Sequence, residues 1–309
     1  MTEFTWRDGE RLIRFGPAAP PQDPHVLLTT PRAALPAFTD AAEEVVHVPS
    51  GRVDEISADL LAQHSFSPDL LLVALGGGRV VDTTKAIAGA VGARCAAIPT
   101  TLSGAEMTPF HRTPAGTEGA RLVRPAVVLA DPALMASAPA AKLAATAMNA
   151  LAHAMEALYT PFASPVTSMA ALRAAELLAT EDREALALGA LLAGYASGST
   201  GIAVHHALCQ TLVREAGTPH AETNAVMLPH SASLMSARAP EALAAFREAV
   251  GTDLASLAAR CGHTRLSSLG VGEQQLTKVA ETVAEHPLLA NTPDPPDAEE
   301  LLALVREAL

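Results

Sequence analysis

The chain has 309 residues, of which 49% are hydrophobic and 17% are charged, and its net charge is −12. This balance is typical of a protein with a large buried core and excludes a disordered chain. The negative charge argues against nucleic acid and anionic membrane surfaces as partners. The three cysteines, Cys95, Cys209 and Cys261, are too far apart for a disulfide framework or a thiolate metal site. With no signal peptide and no membrane-length apolar run visible, we expect a cytoplasmic protein.

The first part of the chain alternates short apolar runs with helix-like stretches. Strands are predicted at 25–29, 44–48, 69–75, 96–98 and 126–130. Continuous apolar runs are typical of strands buried on both faces, which indicates a mostly parallel α/β sheet. From residue 138 only helical periodicity remains, and helices are predicted at 148–159, 165–178, 184–197, 204–214, 240–249 and 297–309. The sequence therefore predicts an α/β domain (1–137) and an all-helical domain (138–309) that pack closely over a cleft.

Three consecutive glycines, Gly76, Gly77 and Gly78, follow the strongest predicted strand and open a helix. Glycines let backbone amides approach a pyrophosphate, and a helix N-terminus offers unpaired N–H groups and a positive dipole end. Arg79 is expected to add a phosphate contact, and Asp82 to reach back to the helix amides or to a ligand. The pattern is not GxGxxG. A tight strand–helix turn without a ligand is the alternative.

A second polar loop follows the next predicted strand and holds Thr100, Thr101, Ser103 and Thr108. Loops at the carboxyl ends of parallel strands line the ligand crevice, so these hydroxyls are candidates for binding phosphate, ribose or nicotinamide. An ordinary Ser/Thr turn with capping roles is the alternative.

The helical part carries a cluster of histidines. Asn149 and His153 are one helical turn apart, His205 and His206 are adjacent, and His220 follows fourteen residues after His206. Three histidines and one oxygen ligand are a set that binds divalent metals. A set of helix-packing or capping histidines is the alternative. Asn is a neutral and weaker ligand than Asp, which disfavours the metal.

These segments together resemble the iron-containing (group III) alcohol dehydrogenase superfamily, whose fold is shared with glycerol dehydrogenase and dehydroquinate synthase. Within it the chain is most similar to the maleylacetate reductases. The resemblance runs from about Phe15 to near the C-terminus, and its carriers are 76–85, 99–109, 148–159, 205–209 and 219–223. It implies a dinucleotide-binding domain, a helical catalytic domain, NAD(H) or NADP(H) as cofactor, a small-molecule substrate and a homodimer. The implied reaction is reduction of maleylacetate to 3-oxoadipate.

The resemblance also assigns roles to the histidine cluster. In metal-dependent members an Asp and three His bind the metal, and these positions fall here on Asn149, His153, His206 and His220. Iron or zinc is therefore possible but not favoured. The predicted catalytic residues are His153, His206, His220, His205 and Gln210, the last two as substrate contacts. Candidate partners for a substrate carboxylate are Arg112, Arg214 and His111, because arginine binds carboxylates through two parallel hydrogen bonds.

The chain departs from the maleylacetate reductase pattern in several places. Arg79 replaces the usual Ser, Gln210 replaces a His that is a candidate proton donor, and Arg214 replaces a Gly. Gln cannot act as a general acid at neutral pH. The segment between Leu178 and Glu184 is also short for the family. The first hypothesis is an NAD(P)H-dependent reductase of a small carboxylated enoate or carbonyl compound. The alternatives are a repurposed lyase, dehydratase or cyclase on the same fold, and a non-catalytic binding protein.

Overall fold

A computed structural model describes residues 3–309 and divides the chain into two compact units. The first unit ends at Ser137, and the second spans Ala138–Leu309. The boundary between the two units coincides with the position after which the sequence has no further strand-like runs.

The first unit contains a seven-stranded sheet with the strand order β1-β2-β7-β6-β5-β3-β4. Its strands are β1 Phe4–Asp8, β2 Arg11–Phe15, β3 His25–Thr29, β4 Glu44–His47, β5 Leu71–Gly76, β6 Arg94–Pro99 and β7 Val127–Ala130. All neighbours pair in parallel except β1 and β2, which form an antiparallel hairpin. The five predicted strands and their parallel arrangement are confirmed. The hairpin was not predicted, although its two-residue turn, Gly9 and Glu10, begins with a glycine at a positive φ of 60°, as such turns require.

Helices connect the parallel strands: α1 Pro36–Thr39, α2 Val53–Gln63, α3 Gly78–Val91 and α4 Pro132–Met135. Alternate residues of β5 enter two separate apolar clusters, Leu72 and Ala74 in one and Val73 and Leu75 in the other. This burial on both faces explains why the strand is a continuous apolar run in the sequence.

The second unit is helical. Its helices are α5 Ala140–Glu156, α6 Pro165–Leu178, α7 Arg183–Thr200, α8 Val204–Ala216, α9 His220–Arg238, α10 Pro240–Val250, α11 Leu254–Ala259, α12 Glu273–Ala284 and α13 Ala298–Glu307, with short 3₁₀ helices at Leu266–Leu269 and Pro287–Asn291. The six predicted helices are present with shifted ends, and α5 begins eight residues earlier than predicted. Helix α9 was not predicted as a helix, and it contains Pro229.

The connection between α6 and α7 is only residues 179–182, which confirms the short segment expected there. Asp182 is the N-cap of helix α7, because its side chain accepts a hydrogen bond from the Ala185 N–H at 2.8 Å. Within residues 3–309 no single helix is long and apolar enough to cross a membrane, while the bent pair α7–α8 passes that test by length and composition only.

Candidate active site

The two polar loops predicted to bind a cofactor meet at the carboxyl edge of the sheet. Strands β5 and β6 are parallel neighbours, and Gly76 lies opposite Pro99 at their ends. The Thr100 N–H donates to the Gly76 carbonyl at 3.0 Å. Adjacent parallel strands end at the same edge, so their following loops share one side of the unit.

Close packing explains why this turn is built from glycine. A Cβ on Gly77 would lie 3.0 Å from Thr101 Cγ2, and a Cβ on Gly78 would lie 3.0 Å from Ser103 Oγ. These distances are tighter than ordinary van der Waals contact. Any larger side chain would push the glycine turn away from the neighbouring loop, so the glycines hold the two loops together.

The N-terminus of α3 offers backbone donors without a competing side chain. Helix α3 has no side-chain cap on Gly77 and no acidic residue in its first turn. The first hydrogen bond of the helix runs from the Val80 N–H to the Gly77 carbonyl at 2.9 Å. The amides of Gly78 and Arg79 come before it and have no acceptor within the helix. The Arg79 side chain is exposed. This end of the helix is chemically suited to a phosphate.

Two of the predicted cofactor residues, Asp82 and Thr108, make their contacts within the protein, around the buried Lys85. Lys85 is fully buried, and its Nζ donates to the carbonyls of Ala105, Thr108 and Phe110 at 2.9, 3.1 and 2.7 Å. Asp82 Oδ1 lies 2.8 Å from the same Nζ. Asp82 therefore pairs with Lys85 rather than with the helix amides. Thr108 is buried as well, and its hydroxyl donates within its own loop to the Ala105 carbonyl at 3.5 Å. Lys85 thus ties the loop after β6 to α3.

Glu106, in the same loop, is, like Lys85, a residue that the sequence analysis did not single out. Its side chain is fully buried, and neither carboxylate oxygen has a hydrogen-bond partner within the protein. Burial raises the pKa of Glu106 to about 7, although the positive charges of Lys85 and Arg11 act in the opposite direction. The segments around both residues are rich in Ser, Thr and Asp, so no local sequence pattern singles out Glu106 or Lys85.

In the second unit, helices α5 and α8 bring the predicted histidines together. Asn149, His153 and Glu156 lie on α5 at helical spacing, so they share one face. The rings of His153 and His206 stack with centroids 4.2 Å apart and an interplanar angle of 23°. Burial, reinforced by the neighbouring His206, lowers the pKa of His153 well below its usual value.

Glu156 is the carboxyl group at the centre of this cluster and was not among the predicted site residues. Its Oε2 lies 2.5 Å from His206 Nδ1, and its Oε1 accepts from the backbone N–H groups of His205 and His206 at 2.8 and 3.2 Å. Burial raises the pKa of Glu156 and lowers the pKa of His206 to about 3. Both shifts favour a neutral pair over an ion pair.

Three buried polar atoms in this cluster have no hydrogen-bond partner within the protein. They are Asn149 Oδ1, His153 Nδ1 and His206 Nε2. Buried polar groups are almost always hydrogen-bonded, so unsatisfied atoms on contacting residues mark a place built for a polar ligand. The structure therefore brings Asn149, His153 and His206 together as one candidate site.

His205 is placed differently from its neighbour. Its ring is fully buried, with Nδ1 3.0 Å from Ser231 Oγ and Nε2 3.0 Å from Asn224 Oδ1. The Asn224 amide in turn donates to the His220 carbonyl at 2.7 Å, which fixes the amide orientation. Both ring nitrogens of His205 are thus engaged in packing α8 against α9. This geometry favours a structural role for His205 over the predicted substrate contact.

The remaining predicted residues lie around the cluster or away from it. His220 is the first residue of α9, is exposed, and lies near enough to lower the pKa values of His153 and His206 electrostatically. Gln210 is partly buried one turn after His206 on α8. Arg214 is exposed, and its Nε donates to Glu215 at 3.1 Å.

Two of the predicted carboxylate partners lie in the first unit. Arg112 is exposed, with its Nη1 3.8 Å from Asp54 Oδ2. The ring of His111 links its own loop, because Nε2 accepts from the Val123 N–H and Nδ1 contacts the Arg112 carbonyl, both at 3.0 Å. These contacts favour a loop-stabilising role for His111.

The metal implied by the resemblance is not matched by the donors present. Among residues 3–309 no three His, Cys, Asp or Glu side chains are arranged to hold a metal ion. The fourth ligand position is Asn149, whose amide brings no negative charge. Because three donor side chains do not converge, the residues present do not match the three-histidine set that would hold iron or zinc. No step below therefore passes through a metal.

Comparison with known proteins agrees with this architecture over most of the chain. Residues 143–309 match the family model "Fe-containing alcohol dehydrogenase family, C-terminal", and residues 36–139 match "Iron-containing alcohol dehydrogenase". Maleylacetate reductase 1 of Rhodococcus opacus is 36% identical over 255 residues, which cover 75% of this chain and 71% of the relative. Maleylacetate reductase of Rhizobium sp. (strain MTP-10005) is 33% identical over 297 residues, covering 89% and 82%. The crystal structure of maleylacetate reductase from Agrobacterium tumefaciens is 30% identical, with a TM-score of 0.78 and coverage of 93% and 90%.

Proposed function

Because the chain belongs to the iron-containing alcohol dehydrogenase family, we propose that it reduces the carbon–carbon double bond of a small carboxylated enoate of the maleylacetate type. It is an NAD(P)H-dependent oxidoreductase that resembles maleylacetate reductase. The observation that carries the substrate assignment is the group of unpartnered buried atoms on Asn149, His153 and His206. Such atoms suit a polar substrate better than an apolar alcohol.

The first unit supplies the dinucleotide site in this proposal. The diphosphate is held by the amides of Gly78 and Arg79 at the start of α3, with Thr100, Thr101 and Ser103 beside it. When bound, the reduced dinucleotide supplies a hydride. Lys85 acts indirectly, because it fixes the loop that carries these hydroxyls.

The second unit supplies a hydrogen-bond donor for the enolate. In a neutral Glu156–His206 pair, the Glu156 Oε2–H donates to Nδ1, and the ring proton of His206 lies on the unpartnered Nε2. Hydride addition to the alkene carbon β to the ketone leaves an enolate, whose oxygen accepts a hydrogen bond from Nε2–H, and a water molecule then gives a proton to the α-carbon and leaves as hydroxide. The C=C π bond breaks and two C–H bonds form, so hydride and proton account for both added hydrogens. A positioned donor to a developing oxyanion contributes about 10²- to 10³-fold to the rate.

This assignment is compatible with Gln210, which stands where the relatives have a histidine and cannot act as a general acid. With the enolate held by His206 Nε2–H and the proton taken from water, position 210 need not be an acid, and the Gln210 amide is free to hold the substrate carboxylate by a hydrogen bond. His153, stacked on His206, and Asn149 complete the polar surface.

Oxidation of NADH and NADPH, followed at 340 nm with maleylacetate as substrate, tests the proposal. We expect turnover in wild type and a loss of about 100-fold or more in kcat for His206→Asn, with the cofactor-induced rise in melting temperature unchanged. Cofactor binding without turnover of any enoate or carbonyl compound would favour the repurposed lyase, dehydratase or cyclase. Absence of cofactor binding by folded protein would favour a binding protein.

Three companion proposals concern metal content, location and assembly. We propose a metal-independent, cytoplasmic homodimer. Elemental analysis, cell fractionation and light scattering on the purified protein test these points separately. One tightly held iron or zinc per chain would contradict the first.

A further inference from the structure

Helix α8 begins without a cap of its own. Its N-cap residue, Ala203, has no side chain able to accept a hydrogen bond, yet the first amides of a helix need acceptors. Two distant residues supply them. Thr292 Oγ1 accepts from the Val204 N–H at 3.1 Å, and Glu156 Oε1 accepts from the next two amides, those of His205 and His206.

The same Glu156 side chain also holds an imidazole through its other oxygen. Oε2 lies 2.5 Å from His206 Nδ1, while Nε2 of that ring has no partner within the protein. The χ2 angle of histidine is intrinsically broad, so a ring held at one nitrogen has its direction set by that contact. One buried side chain from α5 thus fixes both the backbone and the ring of His206.

We infer that Glu156 is the positioning residue of the site: it caps α8 from outside the helix and turns His206 so that Nε2 faces the ligand. This inference rests on the proposed role of His206 Nε2. Glu156 does not touch the substrate. Its contribution lies in holding the ring at the angle that the hydrogen bond to the enolate needs, and a hydrogen-bonding group of the same shape should replace it.

Three variants separate positioning from the alternatives. Glu156→Gln keeps an oxygen for the two amides and an N–H donor for Nδ1. Glu156→Leu fills similar volume but removes every hydrogen bond. Thr292→Val is the matched control, because it removes an amide acceptor at the same helix start without touching the His206 ring.

We expect kcat of Glu156→Gln to stay within about fivefold of wild type and kcat of Glu156→Leu to fall about 100-fold, in the range of contributions from a single oxyanion donor. KM for the dinucleotide should be unchanged in both. Thr292→Val should lower the melting temperature while leaving kcat within about twofold. Rescue by Gln is the signature of positioning. If Glu156→Gln is as slow as Glu156→Leu, although folded, the inference is overturned in favour of proton exchange by Glu156. If kcat falls equally in Thr292→Val and Glu156→Leu, the inference is overturned in favour of simple helix stabilisation. If Glu156→Leu keeps the wild-type kcat, Glu156 has no role in positioning His206.

A second readout does not depend on turnover. The ring ¹⁵N resonances of His206, assigned with His206→Asn, report which nitrogen carries the proton. We expect the same protonated nitrogen, Nε2, in wild type and Glu156→Gln, and a changed spectrum in Glu156→Leu. If wild type transfers no hydride but this pattern holds, the proposed function fails and the positioning of His206 stands. If the ring spectrum of Glu156→Leu equals that of wild type, the positioning inference fails whatever the activity.

Discussion

Glu106 gives the first unit a pH-dependent stability that a single substitution should remove. The carboxyl group is fully buried, has no hydrogen-bond partner within the protein and has a pKa of about 7, against an ordinary value of 4.5. Glu106→Gln keeps the size and removes the ionisation. Since neither oxygen is hydrogen-bonded, the substitution breaks no bond within the protein.

The sign follows from the raised pKa. Below pH 4.5 the group is protonated in both the folded and unfolded states, and its favourable contribution is fully present. As the pH rises, the unfolded chain ionises first, so the free energy of unfolding falls until the folded group also ionises near pH 7. At 1.36 kcal/mol per pKa unit the loss above pH 7 is about 3 kcal/mol, and most of it, roughly 2.5 kcal/mol, develops between pH 5 and pH 8.

The assay is urea unfolding of wild type and Glu106→Gln at pH 5 and pH 8. The single tryptophan, Trp6, lies on β1 and reports the first unit by fluorescence. Taking the difference between the two proteins cancels the titration of the histidines. We expect Glu106→Gln to gain about 2.5 kcal/mol over wild type on going from pH 5 to pH 8, and Glu118→Gln, at an exposed position, serves as the matched control. A gain below about 0.5 kcal/mol would refute the reasoning, because it would mean that Glu106 ionises freely in the folded protein.

Other predictions concern the cofactor loops and the metal. Gly77→Val should lower NADH or NADPH affinity more than tenfold, because its Cβ would press on Thr101; calorimetry with each dinucleotide checks this, and unchanged affinity would place the cofactor elsewhere. Lys85→Met leaves Asp82 and three carbonyls without their cation, and should destabilise the first unit by about 3 kcal/mol or more in Trp6-monitored unfolding. A change under 1 kcal/mol would show that the loop does not depend on this lysine. Prolonged chelation should leave kcat unchanged; loss of activity restored by iron or zinc would contradict the metal-free site.

The parallel sheet could be predicted because strands buried on both faces leave continuous apolar runs, as in β5. The hairpin β1–β2 was missed, since its strands are partly exposed and each carries two charged residues. Helix α9 was missed because Pro229 breaks the expected pattern. There, packing of the surrounding helices outweighs the local cost of proline.

The site was predicted in part. Spacing alone placed Asn149 and His153 on one helical face, and the glycine turn marked the start of α3. Glu156 was missed because its partners are about fifty residues away in sequence and come together only when α8 packs on α5. Lys85 was missed because its three acceptors are backbone carbonyls, which no sequence pattern reveals.

The most direct measurement follows deuterium from the nicotinamide. NADH and NADPH labelled at C4 with deuterium are incubated with the protein and maleylacetate, and the product is analysed by mass spectrometry and NMR. The account predicts 3-oxoadipate carrying one deuterium at the carbon β to the ketone, with no dependence on added metal. Recovery of unreduced maleylacetate with both labelled cofactors, from protein whose melting temperature neither cofactor raises, would contradict it.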